Sequence, residues 1–278
     1  MMTLPTEEEI NRFLQEDIGG GDITVAIIPE NTCAKATVIC REHAVICGQP
    51  WFNAVFKQLD DNISINWQIS EGEKVDENTV LCELEGSARH LLTGERTALN
   101  LLQTLSATAT VARAYADAVS GTGCKVLDTR KTIPGLRMAQ KYAVRCGGCF
   151  NHRIGLFDAV LIKENHIIAA GSIEKAILTA RAYTDKMVEI EVESLTEFEQ
   201  ALVAKPDRIL LDNFAITDLK RAVDINNGNL ALEASGNITL ENIRQVAETG
   251  VDYISIGALT KNIQATDLSM RIKLDNES

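Results

Sequence analysis

Apolar positions change their spacing several times along this chain of 278 residues. Residues from Thr6 to Leu14 follow a short amphipathic helical pattern, which runs into the glycine-rich turn Gly19-Gly20-Gly21-Asp22. Between about Ala34 and Leu84 the pattern changes to short strand-like pieces (AKATVIC, ISINWQI, TVLCELEG) separated by turns, with a helical piece near Trp51 to Gln58. From Leu91 to Val119 it becomes helical again. Leucines at 99, 101, 102 and 105 surround the axis, which predicts a helix buried on most sides. The small and β-branched residues of Ser106–Thr110 lower helical propensity and predict a break into two helices there.

Beyond this helix, short apolar runs recur, nearly every one with a charged residue at its end. CKVL reaches Asp128, AVLI reaches Lys163, VEIEV reaches Glu193, RILL reaches Asp212, LALE reaches Ala234 and YISI reaches Gly257. Helical patterns such as SIEKAILTARAYT and SLTEFEQALVA fill the gaps. This alternation predicts a parallel (β/α) barrel, whose active site lies at the C-terminal ends of the strands. Six repeats are fewer than eight, so the barrel is expected to be incomplete. In the earlier half, the segment Glu71-Gly72-Glu73-Lys74-Val75 to Leu84-Glu85-Gly86 resembles hairpins of lipoyl- and biotinyl-carrier domains. It has no convincing lysine at an exposed tip, so it is expected to be a structural wall.

Charge adds chemistry to this outline. The whole chain carries a formal charge of −12, yet Lys125 to Lys163 holds eight cations and only two acids, a local charge of +6. An acidic protein with one cationic segment suits a pocket for a small, highly charged anion, and a nucleic-acid partner is not expected. Arg96, Arg130 and Arg153 suit bidentate contacts to carboxylates, whereas Lys131 and Lys163 act as point charges. Arg137, Lys141 and Arg145 are expected on the surface of a helix after Pro134. His152 and His166 are candidates for substrate binding or acid–base work. On the strand Met187–Glu193, Glu189, Glu191 and Glu193 alternate with Val188, Ile190 and Val192, so the carboxylates should line the lumen or its mouth. There Mg²⁺ or sugar hydroxyls would offset their desolvation. Ser235-Gly236-Asn237 and Gly257-Ala258-Leu259 are small-residue loops that lead into helices and suit a phosphate. Cys146-Gly-Gly-Cys149 with His152 mimics a metal spacing but lacks a fourth ligand, so its glycines are read as a loop that approaches an anion.

The blocks GERTALN (94–100), DTRKTIPGLR (128–137), NHRIGLFDAVLIKENHI (151–167), EIEVESL (189–195), ILLDNF (209–214), LEASGNI (232–238) and GVDYISIGALT (250–260) resemble the quinolinate phosphoribosyltransferases. The resemblance covers most of Gly94–Lys261, with a weaker echo at 16–24. It implies an N-terminal α/β sandwich over residues 1–112, with the tail 265–278 packing on it, and an irregular, incomplete (β/α) barrel over 113–264. It also implies phosphoribosyl transfer from phosphoribosyl pyrophosphate to quinolinate with decarboxylation, using Mg²⁺. A homodimer is implied, in which Arg96 reaches the neighbouring site. On the matching positions, Arg130, His152, Arg153 and Lys163 would hold the carboxylates of quinolinate with Arg96. Lys131 would sit between pyridine ring and phosphoribosyl group. Glu191 and Asp212 would face the ribose hydroxyls and Mg²⁺, directly or indirectly, and Ser235, Gly236 and Gly257 would bind the 5′-phosphate. Cys149, followed by Phe150, stands where the family pattern is expected to have a third glycine.

Other classes remain in view. A related phosphoribosyltransferase for nicotinate, a Schiff-base enzyme using Lys163 and a non-catalytic anion carrier are the alternatives. No apolar run reaches the roughly 20 residues of a membrane span. Seven scattered cysteines and an acidic N-terminus predict a reducing, cytoplasmic setting.

Overall fold

A computed structural model of the chain describes residues 4–274. Positions 1–3 and 275–278, the outer ends of the expected N-terminal domain and tail, lie outside them. The chain divides into two compact units.

The first unit runs to Val111 and resumes at Met138–Gly147 and from Asn262 onward. Strands β1 (Cys33–Cys40), β3 (Ser64–Trp67) and β5 (Val80–Ser87) and the C-terminal strand Leu268–Leu274 make one antiparallel sheet, with β1 between β5 and the C-terminal strand. Two short strands, β2 (Ala44–Val45) and β4 (Lys74–Val75), pair separately. The carrier-like segment therefore supplies β4 and β5 to two different sheets. Helix α1 (Glu7–Ile18) starts at Thr6, whose hydroxyl accepts the Glu9 amide, and buries Ile10 and Leu14. Helix α2 (Gln49–Leu59) buries Trp51, Phe52, Val55 and Phe56.

Helix α3 (Ala88–Ala118) runs unbroken for 31 residues, against the expected break at Ser106–Thr110. Tertiary hydrogen bonds override the weak local propensity there. Ser106 Oγ accepts from Cys47 N–H and donates to Cys47 C=O, and Thr110 Oγ1 accepts the Val45 amide. Helix α4 (Arg137–Cys146) brings a second departure. Residues 138–147, expected within the barrel stretch, group instead with the first unit. Ala139, Tyr142, Ala143 and Val144 of α4 are buried, and Tyr142 meets Trp51 edge-on at 5.1 Å. Lys141 is buried rather than on the surface, and Arg137 is half-buried with bonds to Thr132 Oγ1 and Ile154 C=O. Arg145 alone of the three is exposed.

The second unit is a parallel sheet of six strands in the order β6-β11-β10-β9-β8-β7. These are β6 (Lys125–Leu127), β7 (Val160–Ile162), β8 (Val188–Val192), β9 (Arg208–Asp212), β10 (Ala231–Ser235) and β11 (Tyr253–Ser255). Helices α5 (Glu164–Ala170), α6 (Ile173–Tyr183), α7 (Leu195–Ala204) and α8 (Ile216–Asn226) alternate with the strands. The sheet ends at β6 and β7 without closing, as expected for an incomplete barrel. One face carries Val188, Ile190, Val192, Ile209, Leu211, Leu232, Ala234 and Ile254, all buried. By alternation the opposite face carries Glu189, Glu191, Arg208, Leu210, Glu233, Ser235, Tyr253 and Ser255. Among the described residues, no helix is long and apolar enough to cross a membrane.

Candidate active site

The polar face of the six-stranded sheet opens into a cavity of about 280 Å³. Arg130, Lys131, His152, Arg153, Lys163, Glu191 and Ser235 all line it, so seven of the eleven candidates from the sequence share one hollow.

Two acids shape the cationic side. Asp128, at the end of β6, is fully buried; it accepts the His152 amide at 2.8 Å and the Asn151 side-chain amide at 2.7 Å. Asp158 accepts the amides of Ile154 and Gly155 at 2.7 and 2.9 Å. These are the only two acids of the +6 segment, and both hold backbone of the loop that carries His152 and Arg153. A Cβ on Gly155 would lie 2.4 Å from the exposed Phe157 ring, which would have to move aside for it.

The Arg153 guanidinium donates from Nη1 to Ala159 C=O at 3.3 Å. Burial and the neighbouring Arg130 charge lower the pKa of Arg153. Arg130 Nε is buried without a hydrogen-bond partner among the described residues. Two crowded cations with an unused donor make a site that an anion would stabilise.

Beneath them lies a buried ionic layer that sequence reasoning did not assemble. Glu189 on β8 is paired in register with Arg208 on β9, and Glu233 on β10 with Tyr253 on β11. Arg208 Nη1 lies 2.8 Å from Glu233 and 3.9 Å from Glu189, and its guanidinium stacks over Tyr253 at 4.0 Å. His152 Nε2 faces Glu189 at 2.9 Å and Glu233 at 3.5 Å. Burial opposes charge on His152, but the two carboxylates outweigh it and raise its pKa to about 9. Its Nδ1 accepts the Arg153 amide at 2.8 Å, so we assign the ring as the Nε2–H tautomer in this geometry. A second ring proton would have to displace that amide, which couples the charge of His152 to the backbone of Arg153. His152, Glu189 and Glu233 are close enough to surround an ion, but Arg208 already supplies the cation there.

The anionic side lies at the ends of β8 and β9. Glu191 pairs with Lys163. Burial and the Glu191 charge raise the pKa of Asp212, and Asn213 donates to its carboxylate. Glu193 lies past β8, is exposed, and has its pKa raised chiefly by Glu164. His166 stays out of the cavity lining; its Nδ1 accepts the Lys163 amide and caps α5.

The small-residue loops sit tightly. A Cβ on Gly236, whose φ is +94°, would lie 2.2 Å from Asn213 Oδ1. A Cβ on Gly257 would lie 3.1 Å from the Lys131 chain, and Thr260 Oγ1 donates to Lys131 C=O at 2.7 Å. Cys149 does not join Cys146 in a metal pair. It is buried in the second unit with its thiol on Ala112 C=O, whereas Cys146 belongs to the first. Arg96 is exposed on α3 in the first unit and does not line this cavity.

Comparison with known proteins places this arrangement. The family model for the N-terminal domain of quinolinate phosphoribosyl transferase matches residues 22–106, and that for its C-terminal domain matches 108–271. The chain belongs to the quinolinate phosphoribosyl transferase family. It is 41% identical to a probable nicotinate-nucleotide pyrophosphorylase [carboxylating] of Bacillus subtilis (strain 168), over 100% of this chain and 97% of the relative. The nicotinate-nucleotide pyrophosphorylase [carboxylating] of Mycobacterium leprae (strain TN) is also 41% identical, over 95% of each chain. The solved nicotinate-nucleotide pyrophosphorylase of Francisella tularensis is 50% identical with a TM-score of 0.93, covering 98% of both chains. Among quinolinate phosphoribosyl transferases, then, this chain presents its cationic and anionic clusters on one face of the barrel sheet.

Proposed function

We infer that the cavity is the site of quinolinate phosphoribosyl transfer. The enzyme transfers the phosphoribosyl group of phosphoribosyl pyrophosphate to quinolinate with decarboxylation, giving nicotinate mononucleotide, pyrophosphate and CO₂ in NAD biosynthesis. The observation that carries this assignment to residues is the Arg130–Arg153 pair, two cations with mutual repulsion and an unused buried donor. A single carboxylate would leave part of that charge unmatched, whereas a diacid answers it.

In this scheme Arg130 and Arg153 grip the two carboxylates, with Lys163 beside them and His152 fixing the loop. The grip aims the ring nitrogen at the anomeric carbon, a positioning effect. Nitrogen attacks that carbon as pyrophosphate departs, through an oxocarbenium-like transition state. Glu191 and Asp212 stabilise the positive charge that grows on the sugar. Ser235, Gly236 and Gly257 receive the 5′-phosphate. Lys131 stands between ring and sugar. Once the ring nitrogen is quaternary, its charge stabilises the carbanion left by CO₂, which then takes a proton.

The donor set fits Mg²⁺. Glu191 and Asp212 are hard oxygen ligands; burial first and then the Glu191 charge raise the pKa of Asp212, and a divalent cation would offset both. Bound there, the ion would neutralise pyrophosphate oxygens. We further assign the chain to a homodimer in which the exposed Arg96 reaches the partner's cavity, and to the cytoplasm, in keeping with seven cysteines of which none is in a disulfide.

The test is turnover with quinolinate, phosphoribosyl pyrophosphate and Mg²⁺. Nicotinate mononucleotide and CO₂ should appear in equal amounts. Turnover of nicotinate in place of quinolinate would overturn the assignment.

A further inference from the structure

The scheme leaves a pair of thiols in the first unit unused. Cys47 follows β2, and Cys146 is the last residue of α4. Their sulfurs lie within 4.8 Å of each other, and the two thiols hydrogen-bond. Gly72 bridges the two segments: its amide donates to C=O of Ile46, the residue before Cys47, at 2.8 Å, and a Cβ on it would lie 3.4 Å from Cys146 C=O. Glu71 sits beside the sulfurs, which suggests a metal site, but its carboxylate is committed. One oxygen accepts the Gly48 amide at 2.7 Å and the other the Gln49 amide at 3.1 Å. Two thiols alone fall short of the four ligands of a structural zinc site.

The pair is asymmetric. The hydrogen bond from Cys47 lowers the pKa of Cys146 against burial and Glu71, and Tyr142 and Arg145 assist. Burial drives Cys47 the other way. Cys146 is partly accessible and Cys47 fully buried. Cys146 is thus the more acidic and more accessible thiol of the two, the better nucleophile, backed by the protonated Cys47.

Helix α4 connects this pair to the cavity by chain continuity. Arg130 and Lys131 precede it by a few residues, and His152 and Arg153 follow it. Its first residue, Arg137, bonds Thr132 on one side and Ile154 C=O on the other. A covalent tie at Cys146 therefore constrains the helix from which both cationic loops hang.

We propose that Cys47 and Cys146 are an oxidative modification site, closing to a reversible disulfide under peroxide-class oxidants and altering quinolinate binding through α4. The Cys146 thiolate attacks a peroxide oxygen, breaking the O–O bond and forming a sulfenic acid with release of hydroxide. The Cys47 sulfur then attacks the Cys146 sulfur. The S–S bond forms, the S–O bond breaks, and the Cys47 proton leaves with the departing oxygen as water. A dithiol reductant returns both thiols by exchange.

The experiment treats the reduced full-length enzyme with hydrogen peroxide, blocks free thiols, and maps peptides without reduction. One cross-linked pair joining the Cys47 and Cys146 peptides is expected, lighter by two hydrogens and reopened by dithiothreitol. Cys47→Ser should abolish the link and let dimedone label Cys146. Quinolinate KM should rise roughly three-fold or more in the oxidised enzyme and recover on reduction. Peptides of Cys47 and Cys146 that stay unlinked, with oxidation confined to the exposed Cys33, would overturn the proposal. A cross-linked enzyme with unchanged KM would overturn its coupling to the site. That coupling rests on the quinolinate assignment, whereas the peptide map does not, so the two failures separate. The wild-type map decides the matter even if Cys47→Ser does not fold.

Discussion

Arg208→Met tests the buried ionic layer beneath the cavity. The substitution keeps the length and apolar stem of the side chain but removes the cation 2.8 Å from Glu233 and stacked on Tyr253. Glu189 and Glu233, both fully buried, then face each other with His152 as their remaining partner. Breaking a buried ion pair by removing one member costs about 3–5 kcal/mol. At roughly 2–4 °C per kcal/mol for a chain of this size, the melting temperature should fall by roughly 6–20 °C at pH 8.5. The sign of the pH dependence follows from linkage. Burial raises the pKa of Glu189, so its destabilising effect is absent when the carboxyl is protonated in both states and grows as pH rises. His152, with a pKa raised to about 9, contributes stability below its unfolded pKa near 6.5, and that contribution fades as pH passes 9. Both effects make the layer most vulnerable in base. Thermal unfolding of wild type and variant at pH 5.5 and 8.5 should therefore show a deficit at pH 5.5 less than half that at pH 8.5. An equal deficit at both pH values, or a fall of less than about 2 °C at pH 8.5, would refute the reasoning.

The other expectations concern the cavity. Arg130→Ala should lower kcat/KM for quinolinate by more than about ten-fold, because a charged hydrogen bond contributes about 1.5–3 kcal/mol; a near-normal value would remove Arg130 from the site. Gly236→Ala puts a methyl 2.2 Å from Asn213 Oδ1 at a φ of +94°. It should raise KM for phosphoribosyl pyrophosphate more than KM for quinolinate, and initial-rate kinetics with each substrate varied would show the reverse if this loop is not the phosphate site. Arg96→Ala and Glu191→Ala, each inactive alone, should recover activity when mixed and allowed to exchange subunits. Inactive heterodimers, verified by mass, would contradict a shared site.

Much of this architecture was legible from the chain. The six apolar runs became the six parallel strands, because strand and helix periods differ and most of the runs ended at a charged residue. The alternation at Val188–Val192 correctly turned Glu189 and Glu191 toward the lumen. Partnership was harder to read. Arg208 opens the run RILL with nothing local to mark it out, and only the register of β8 against β9 sets it beside Glu189. Asp128 and Asp158 count as charges in a sequence, but their backbone hydrogen bonds appear only in the folded loop. The predicted break in α3 failed because Ser106 and Thr110 bond to segments about 60 residues away, which no local propensity registers. The buried Lys141 and the passage of α4 into the first unit depend in the same way on long-range packing against Trp51.

The central claim is that Arg130 and Arg153 together receive a diacid. A crystal structure of the enzyme with quinolinate tests it most directly. Carboxylate oxygens within about 3 Å of both guanidinium groups, with the ring nitrogen turned toward Glu191 and Asp212, is the predicted result. Quinolinate bound with either arginine turned to solvent, or lodged outside the hollow between β8 and β10, would contradict it.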